Sequence, residues 1–117
     1  MSNPKFKIHK SNKNQQYYFN LHALNGQPIL TSETYSTKQS CKKGIESVKA
    51  NAPIDERYDR KEAKNGQFYF NLKATNGEII GTSEMYTTKA SRENGIASVK
   101  TNAPIAGIED TTVEVVN

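Results

Sequence analysis

The chain has 117 residues, of which 34% are apolar, and a formal charge of +4 at pH 7; its length suits one ordinary domain. No apolar run approaches the roughly 20 residues of a membrane-spanning helix, and the first residues lack the apolar stretch of a secretory signal, so we expect a cytoplasmic protein with no membrane partner. The single cysteine, Cys41, excludes an internal disulfide and a cysteine-based zinc site, and we expect neither a metal nor a cofactor.

Two β-strands are predicted before residue 24. Apolar and basic residues alternate over residues 5–8, and the polar stretch at residues 11–14 is typical of a turn. Over residues 17–23 apolar side chains again alternate with polar ones, which places the two kinds on opposite faces of a second strand. The polar side of that strand carries Tyr18, Asn20 and His22.

A hairpin turn is predicted at Asn25-Gly26. Asn-Gly favours a two-residue type I′ turn, because both central residues of that turn adopt positive φ. A two-residue loop also fixes the register of the third strand. The predicted opposite pairs are Leu21 with Leu30, His22 with Ile29, and Asn20 with Thr31.

A helix is predicted after Tyr35. Hydroxyl side chains within residues 36–40 offer an N-cap, and Cys41, Ile45 and Val48 recur at the spacing of one helix face. The helix should end near Asn51, because the proline two residues later disfavours α conformation in the residue before it.

The second half of the chain repeats the first. Residues 67–105 align with residues 16–54 without a gap, and well over half of the aligned residues are identical. We therefore predict a first unit at residues 1–54 and a second unit at residues 55–117, each of the form β-β-β-α followed by an extended segment. Before the aligned block the first unit has one additional residue, which a loop accommodates readily.

Three glycines predict close contacts. Gly44 and Gly95 occupy equivalent positions inside the two helices, where glycine costs about 1 kcal/mol relative to alanine, so we expect each helix to approach the sheet closely there. By the hairpin register, Leu72 faces Gly81, which predicts either a gap or a group packed close to the backbone.

The predicted fold class is α+β. A three-stranded sheet with one helix leaves edges and one face open, so the two units should combine about a pseudo-two-fold axis into one compact domain. That domain would be a single antiparallel sheet with both helices packed on it, and the chain would be a monomer with the internal symmetry of a dimer. The tail at residues 111–116 has strand composition and should pair over at least its first half.

Four segments present in both units carry a resemblance. Phe-Asn-Leu-x-Ala-x-Asn-Gly, Thr-Ser-Glu-x-Tyr, Gly-Ile-x-Ser-Val-Lys and Asn-Ala-Pro resemble the YegP-like family of uncharacterised bacterial proteins. The resemblance covers nearly the whole chain outside the termini. It implies tandem units with three strands, one helix and a swapped terminal strand, the C-terminal strand crossing to the other unit. It implies no activity.

The first candidate site is the polar side of the combined sheet. Aromatic side chains interleaved with amides and bases can stack on and hydrogen-bond unpaired nucleotide bases, and the same surface could hold a peptide or another protein. The alternative is a solvated sheet face on which tyrosine and threonine serve strand formation. The candidate binding residues are Tyr18, Asn20, His22, Thr31, Tyr69, Asn71, Lys73 and Thr82.

The second candidate is Thr-Ser-Glu-x-Tyr, at residues 31–35 and 82–86. A glutamate beside hydroxyls could bind a cation or a polar ligand, or act as a general base. No repeated histidine or second acid completes an acid–base pair, so strand termination and helix capping explain the segment better. We assign no catalytic residue.

The two histidines and the cysteine, which are not duplicated between the units, give weaker signals of a functional site. His9 and His22 lack the spacing of a metal site, and the second unit has Lys61 and Lys73 in their places. Cys41 is replaced by an arginine in the second unit and has no basic partner nearby in the sequence, so we expect a partly buried, unreactive thiol.

Three functions remain open from the sequence. The first is a non-catalytic binding module that uses the polar side of the sheet, with single-stranded nucleic acid as one ligand. The others are a small enzyme acting at Thr-Ser-Glu-x-Tyr and a structural or stress-related protein acting through a protein partner. The positive charge concentrated in residues 1–54 favours a polyanion, although solvated lysines explain it equally well.

Overall fold

The computed structural model describes residues 3–112. Its strands are β1 (Lys5–Lys10), β2 (Tyr17–His22), β3 (Pro28–Thr31), β4 (Tyr58–Glu62), β5 (Phe68–Lys73), β6 (Ile79–Thr82) and β7 (Gly107–Asp110). The helices are α1 (Lys38–Asn51) and α2 (Lys89–Asn102), and short 3-10 turns occupy Asp55–Arg57 and Ala103–Ile105. Within residues 3–112 no helix has the length and apolarity to cross a membrane.

The seven strands form one sheet in the order β4-β5-β6-β3-β2-β1-β7. The units meet where β3 runs antiparallel to β6, with Thr31 opposite Thr82. This arrangement confirms the predicted α+β fold of two tandem units in a single sheet. The final strand crosses to the first unit, where β7 pairs with β1.

The sheet is mixed rather than wholly antiparallel, because β7 lies parallel to β1. Within residues 3–112 only one strand crosses between the units. The chain after α1 leads into β4, the first strand of the second unit, whereas the chain after α2 leads into β7, which pairs with β1 of the first unit. The tail strand predicted from residue 111 is wrong over the described residues, because β7 ends at Asp110 and residues 111 and 112 form a turn. The Thr111 N–H still bonds Ile8 O at 3.1 Å, and residues 113–116 of that prediction lie outside the described residues.

The Asn-Gly hairpins are present, but the predicted type I′ turn is wrong. Gly26 has φ 83° while Asn25 stays at negative φ, and the Gly26 N–H donates to Ala23 O at 2.9 Å. The Ala23 N–H donates to Gln27 O at 2.9 Å, which closes a three-residue loop whose last residue is left-handed. Loops at residues 63–67 and 74–78 make the same bonds.

Because the loop has three residues rather than the predicted two, one of the predicted cross-strand residue pairs differs. Leu21 faces Leu30 and Asn20 faces Thr31 as predicted, but His22 lies opposite Pro28 rather than Ile29, with a register shift before it. In the second unit Leu72 faces Gly81, which confirms that pair.

Both helices begin and end where the sequence predicts. The side chains of Thr37 and Thr88 accept hydrogen bonds from the N–H groups three residues on, and the last helical residues are Asn51 and Asn102. The helices cover one face of the sheet and enclose a single apolar core. Its fully buried members include Phe6, Ile8, Phe19, Leu21, Leu30, Ile45, Val48, Phe70, Leu72 and Val99.

The three glycines lie against large side chains. A Cβ at Gly44 would be 2.3 Å from Tyr35 Oη, and one at Gly95 would be 2.2 Å from Tyr86 Oη. The predicted close approach is confirmed, with a tyrosine ring between helix and sheet. A Cβ at Gly81 would be 2.6 Å from Leu30 Cδ2, so a leucine of the first unit fills the space that the second unit leaves.

Candidate functional site

The sheet face away from the helices is lined mainly by polar side chains, and we call it the polar face. Alternation along the strands places all eight candidate binding residues there. Most are half-buried, but Asn71 is only 6% exposed and is therefore not freely available to a ligand. The polar face consists of Lys5, Lys7, His9, Tyr18, Asn20, His22, Thr31, Asp59, Lys61, Tyr69, Asn71, Lys73 and Thr82.

In the first unit two histidines meet at one amide. His9 Nε2 lies 3.1 Å and His22 Nε2 lies 3.0 Å from Asn20 Oδ1. The ring of His9 also lies against Tyr18, with 5.1 Å between centroids. The spacing of the two histidines in the sequence does not reveal this meeting, because neighbouring strands bring them together across a separation that no linear motif shows.

The second unit holds the equivalent asparagine differently. Thr82 Oγ1 donates to Asn71 Oδ1 at 2.9 Å, and Lys61 and Lys73 replace the histidines. Both lysines reach Asp59, at 3.5 and 3.2 Å. The hydrogen bond from Lys73 is the main cause that lowers the pKa of Asp59 below its usual range.

Beside the histidines the polar face has a shallow basic depression of about 80 Å³. Its lining includes Lys5, Lys7 and His22. Glu109 on β7 lies 3.3 Å from Lys5 Nζ and 4.0 Å from Lys7 Nζ, so one carboxylate partly balances the two ammonium groups. The depression is small and open, and it suits a group on a larger ligand better than a whole metabolite.

The Thr-Ser-Glu-x-Tyr segments have a structural role. Ser32 Oγ accepts from Phe19 N–H at 2.9 Å and donates to Glu33 O at 2.7 Å, and Ser83 makes the same pair of bonds in the second unit. The last residue, Tyr35, bonds the start of β2 through its backbone, and burial raises the pKa of its hydroxyl. Glu33 and Glu84 are exposed and do not line the depression.

Cys41 is fully buried rather than partly buried. Burial raises the pKa of its thiol to about 11, so the reactive thiolate is scarce at neutral pH. Within the described part of the chain, no three residues among histidine, cysteine, aspartate and glutamate gather closely enough to bind a metal.

Sequence reasoning missed five members of the polar face. Lys5, Lys7 and His9 alternate with buried Phe6 and Ile8, so the period of two already assigns them to the same side as Asn20. Asp59 and Lys61 follow the same rule on β4. Both segments show the alternating pattern in the sequence. The pairing of β1 with β2 and of β4 with β5 is what adds their polar side chains to the site.

The family model described as a domain of unknown function, DUF1508, matches the chain twice, at residues 12–59 and 63–110. The UPF0339 protein YegP of Escherichia coli K12 is 55% identical over 107 residues, which cover 92% of this chain and 96% of that protein. A UPF0339 protein of Bordetella pertussis is 60% identical over 97 residues, covering 83% of this chain and 87% of that protein.

Two solution NMR structures have the same fold. The structure of yegP from E. coli, described as a protein of unknown function, has a TM-score of 0.89 at 50% identity and covers 98% of each chain. The structure of a UPF0339 protein from Shewanella oneidensis has a TM-score of 0.86 at 49% identity and covers 93% of this chain and 92% of its own. Two family-model matches in tandem and similar proteins along nearly its whole length establish that the chain belongs to the YegP-like DUF1508 family, a family described as of unknown function.

Proposed function

We propose that this protein is a non-catalytic binding module whose ligand lies on the polar face. The observation that carries the proposal is duplication: Tyr18, Asn20 and Thr31 of one unit recur as Tyr69, Asn71 and Thr82 of the other. Among residues 3–112 both helices lie on the opposite side of the sheet and no helix covers the polar face. A duplicated surface about a pseudo-two-fold axis suits an extended ligand that crosses both units.

Charge favours single-stranded nucleic acid as the ligand. Lys5 and Lys7 lie near one end of the polar face, and Lys61 and Lys73 lie near the other. Glu109 and Asp59 offset only part of this charge. Tyr18 and Tyr69 lie between the lysines, where aromatic rings can stack on bases while ammonium groups contact phosphates.

The proposal is tested by titrating ¹⁵N-labelled protein with single-stranded oligonucleotides and mapping the amide shifts. Shifts should concentrate on β1, β2 and β5, and Tyr18→Ala or Tyr69→Ala should each lower the binding free energy by about 1–3 kcal/mol. Tyr18→Phe and Tyr69→Phe keep the ring and should bind nearly normally.

Lysine variants distinguish binding on the polar face from nonspecific attraction of the ligand to the positive charge of the protein. Lys7→Ala should reduce the salt dependence of binding, since each lost phosphate contact lowers the logarithmic slope by about 0.7 for a single strand. Lys43→Ala, on the exposed surface of α1, is the matched control and should leave both affinity and slope unchanged. Shifts confined to the helices, or equal effects of the two lysine variants, would contradict nucleic-acid binding on this face. Peptide titration then tests a protein ligand there.

We also propose a cytoplasmic location, supported by a free, buried Cys41 that needs no oxidising compartment. Fractionation of cells that produce the untagged protein tests it. Recovery in the membrane or extracellular fraction would contradict it.

A further inference from the structure

The two histidines of the polar face point their Nε2 atoms at one place. His9 Nε2 and His22 Nε2 lie 3.1 and 3.0 Å from the same Asn20 Oδ1, one from the neighbouring strand and one from the same strand. Three side chains that can supply ligand atoms thus converge at the surface of β1 and β2.

The other nitrogen of each ring has a fixed partner. His22 Nδ1 lies 2.9 Å from Gly26 O, a carbonyl that can only accept, so this nitrogen carries the proton. His9 Nδ1 lies 3.3 Å from Thr111 Oγ1, whose own hydrogen is donated to Ile8 O, so this nitrogen also donates. In a neutral ring the Nε2 lone pair is then free and directed at the asparagine.

This is the arrangement that metal-binding histidines have in proteins. Such a ring almost always donates its second N–H to a carbonyl or similar acceptor, which fixes the tautomer and the orientation of the ligating nitrogen. The Asn20 carboxamide suits both the metal-free and the metal-bound state of such a site. It can turn its Nδ2 towards two free lone pairs, or offer Oδ1 as a third ligand when a cation is present.

We propose that His9, Asn20 and His22 form a binding site for a divalent transition-metal ion of the imidazole-preferring class, represented by Zn²⁺ and Ni²⁺. A Zn–N bond is about 2.0–2.1 Å long, so two ligand atoms of one tetrahedral Zn²⁺ lie about 3.3 Å apart. Each Nε2 is already at a similar distance from Asn20 Oδ1, 3.1 Å for His9 and 3.0 Å for His22. Lys7 lies opposite Asn20 in the strand pair, and Glu109, 4.0 Å from its ammonium group, offsets its charge. Water completes the coordination.

The site belongs to the first unit alone. Lys61 and Lys73 occupy the histidine positions around Asn71, and an ammonium group cannot ligate a cation. The second unit therefore provides a control within the same molecule, and the inference does not depend on the proposed nucleic-acid binding.

The test is calorimetric titration of untagged, chelator-treated protein with ZnCl₂, with imidazole ¹⁵N signals recorded in parallel. One Zn²⁺ should bind per chain and shift Nε2 of His9 and His22. His9→Lys and His22→Lys, which copy the second unit, should each weaken binding at least about tenfold, and Thr111→Val should weaken it about tenfold through the lost partner of Nδ1. Cys41→Ser should bind as the native chain does.

A gain-of-site variant completes the experiment. Lys61→His combined with Lys73→His should add a second, more weakly bound ion, because Thr82 already holds Asn71 and no strand of the described residues covers β4 to supply a partner like Thr111. The proposal is overturned if Zn²⁺ shifts neither imidazole, or if both single histidine-to-lysine variants bind Zn²⁺ with native affinity while retaining native amide spectra.

Discussion

The two units share most of their sequence but close their outer edges by different means. In the first unit β7 covers β1, with Gly107 N–H bonded to Pro4 O at 3.2 Å and Lys38 Nζ 2.8 Å from Asp110. In the second unit β4 is the last strand of the sheet. The difference explains why equivalent residues diverged.

Charged side chains occupy the uncovered edge. Ile8 of β1 corresponds to Arg60 of β4, which lies 2.9 Å from Glu93 and 3.1 Å from Asp55. Cys41 corresponds to Arg92, whose Nη1 donates to Lys61 O at 3.0 Å. Charges on an edge strand discourage pairing with another chain, so an apolar residue is tolerated where a strand covers it and an arginine is favoured where none does.

The pseudo-two-fold axis requires a second difference. Residues near the axis meet their own counterparts, so a leucine in both units would place two bulky side chains in one space. The chain has Leu30 in one unit and Gly81 in the other, with Leu30 filling the space beside Gly81. Duplication thus allowed a complementary pair that two identical subunits cannot have.

Exchanging this pair should have the largest effect on stability. Leu30→Gly should lower the free energy of unfolding by about 3–5 kcal/mol through cavity formation. Gly81→Leu should lower it by about 1–3 kcal/mol or more through overpacking. The double variant restores one large and one small side chain, so urea unfolding should show a loss well below the sum of the two. An additive double variant would contradict the pairing.

The helix glycines test a contact that both units have, in which a helix glycine packs against a tyrosine ring. Gly44→Ala and Gly95→Ala should each cost about 1–3 kcal/mol, because the added methyl group overlaps a tyrosine ring and this outweighs the better helix propensity of alanine. The two losses should be similar. Asn94→Ala, at an exposed helix position, is the control and should be neutral or slightly stabilising. A stabilising Gly95→Ala would disprove the close contact.

The hairpin loops show which features of the fold can be predicted from the sequence and which cannot. Alternation and Asn-Gly locate the hairpins, but the same dipeptide fits a type I turn followed by a left-handed glycine, and Asn25 Oδ1 accepts the Gln27 N–H at 3.0 Å in that form. Side-chain periodicity does not distinguish these loops. The one-residue difference then sets His22 opposite Pro28.

Long-range features were harder to predict than local ones. β7 has the sequence Gly-Ile-Glu-Asp, a poor strand former, and its conformation depends on pairing with β1 about a hundred residues away in the chain. The meeting of His9 and His22 at Asn20 likewise requires the strand register. The eight candidate residues of the polar face followed from alternation and the hairpin register, which are local, whereas its members on β1 and β4 required the pairing of those strands.

Asp110 tests the closure of the first edge. Burial acts to raise its pKa, but hydrogen bonds from Lys38 and Thr112 outweigh burial and hold the pKa at about 2, below the ordinary 3.8. A depressed pKa stabilises the fold above about pH 4 and loses that contribution as the pH falls towards 2. Asp110→Asn should therefore be less stable at neutral pH and show a weaker acid dependence between pH 4 and 2. Glu109→Gln, at an exposed ion pair, should change little; equal effects of the two variants would exclude a special role for Asp110.

The smallest effect is expected at the first loop. Gln15 has φ 59° at the position where the second unit has Gly66 with φ 83°. Gln15→Gly should raise the free energy of unfolding by up to about 1 kcal/mol, and Gly66→Gln should lower it by about 1 kcal/mol, since only glycine adopts this conformation without strain. Thermal unfolding compares the two, and a destabilising Gln15→Gly would contradict the account of this loop.

Native-state hydrogen exchange tests most directly whether the two units form one cooperative domain. One sheet and one core predict that amides of β2 and β3 and those of β5 and β6 exchange with the same limiting free energy, equal to that of global unfolding. Gly95→Ala should lower both sets equally. Exchange of the second unit at a distinctly lower free energy, with the first unit still protected, would contradict a shared core.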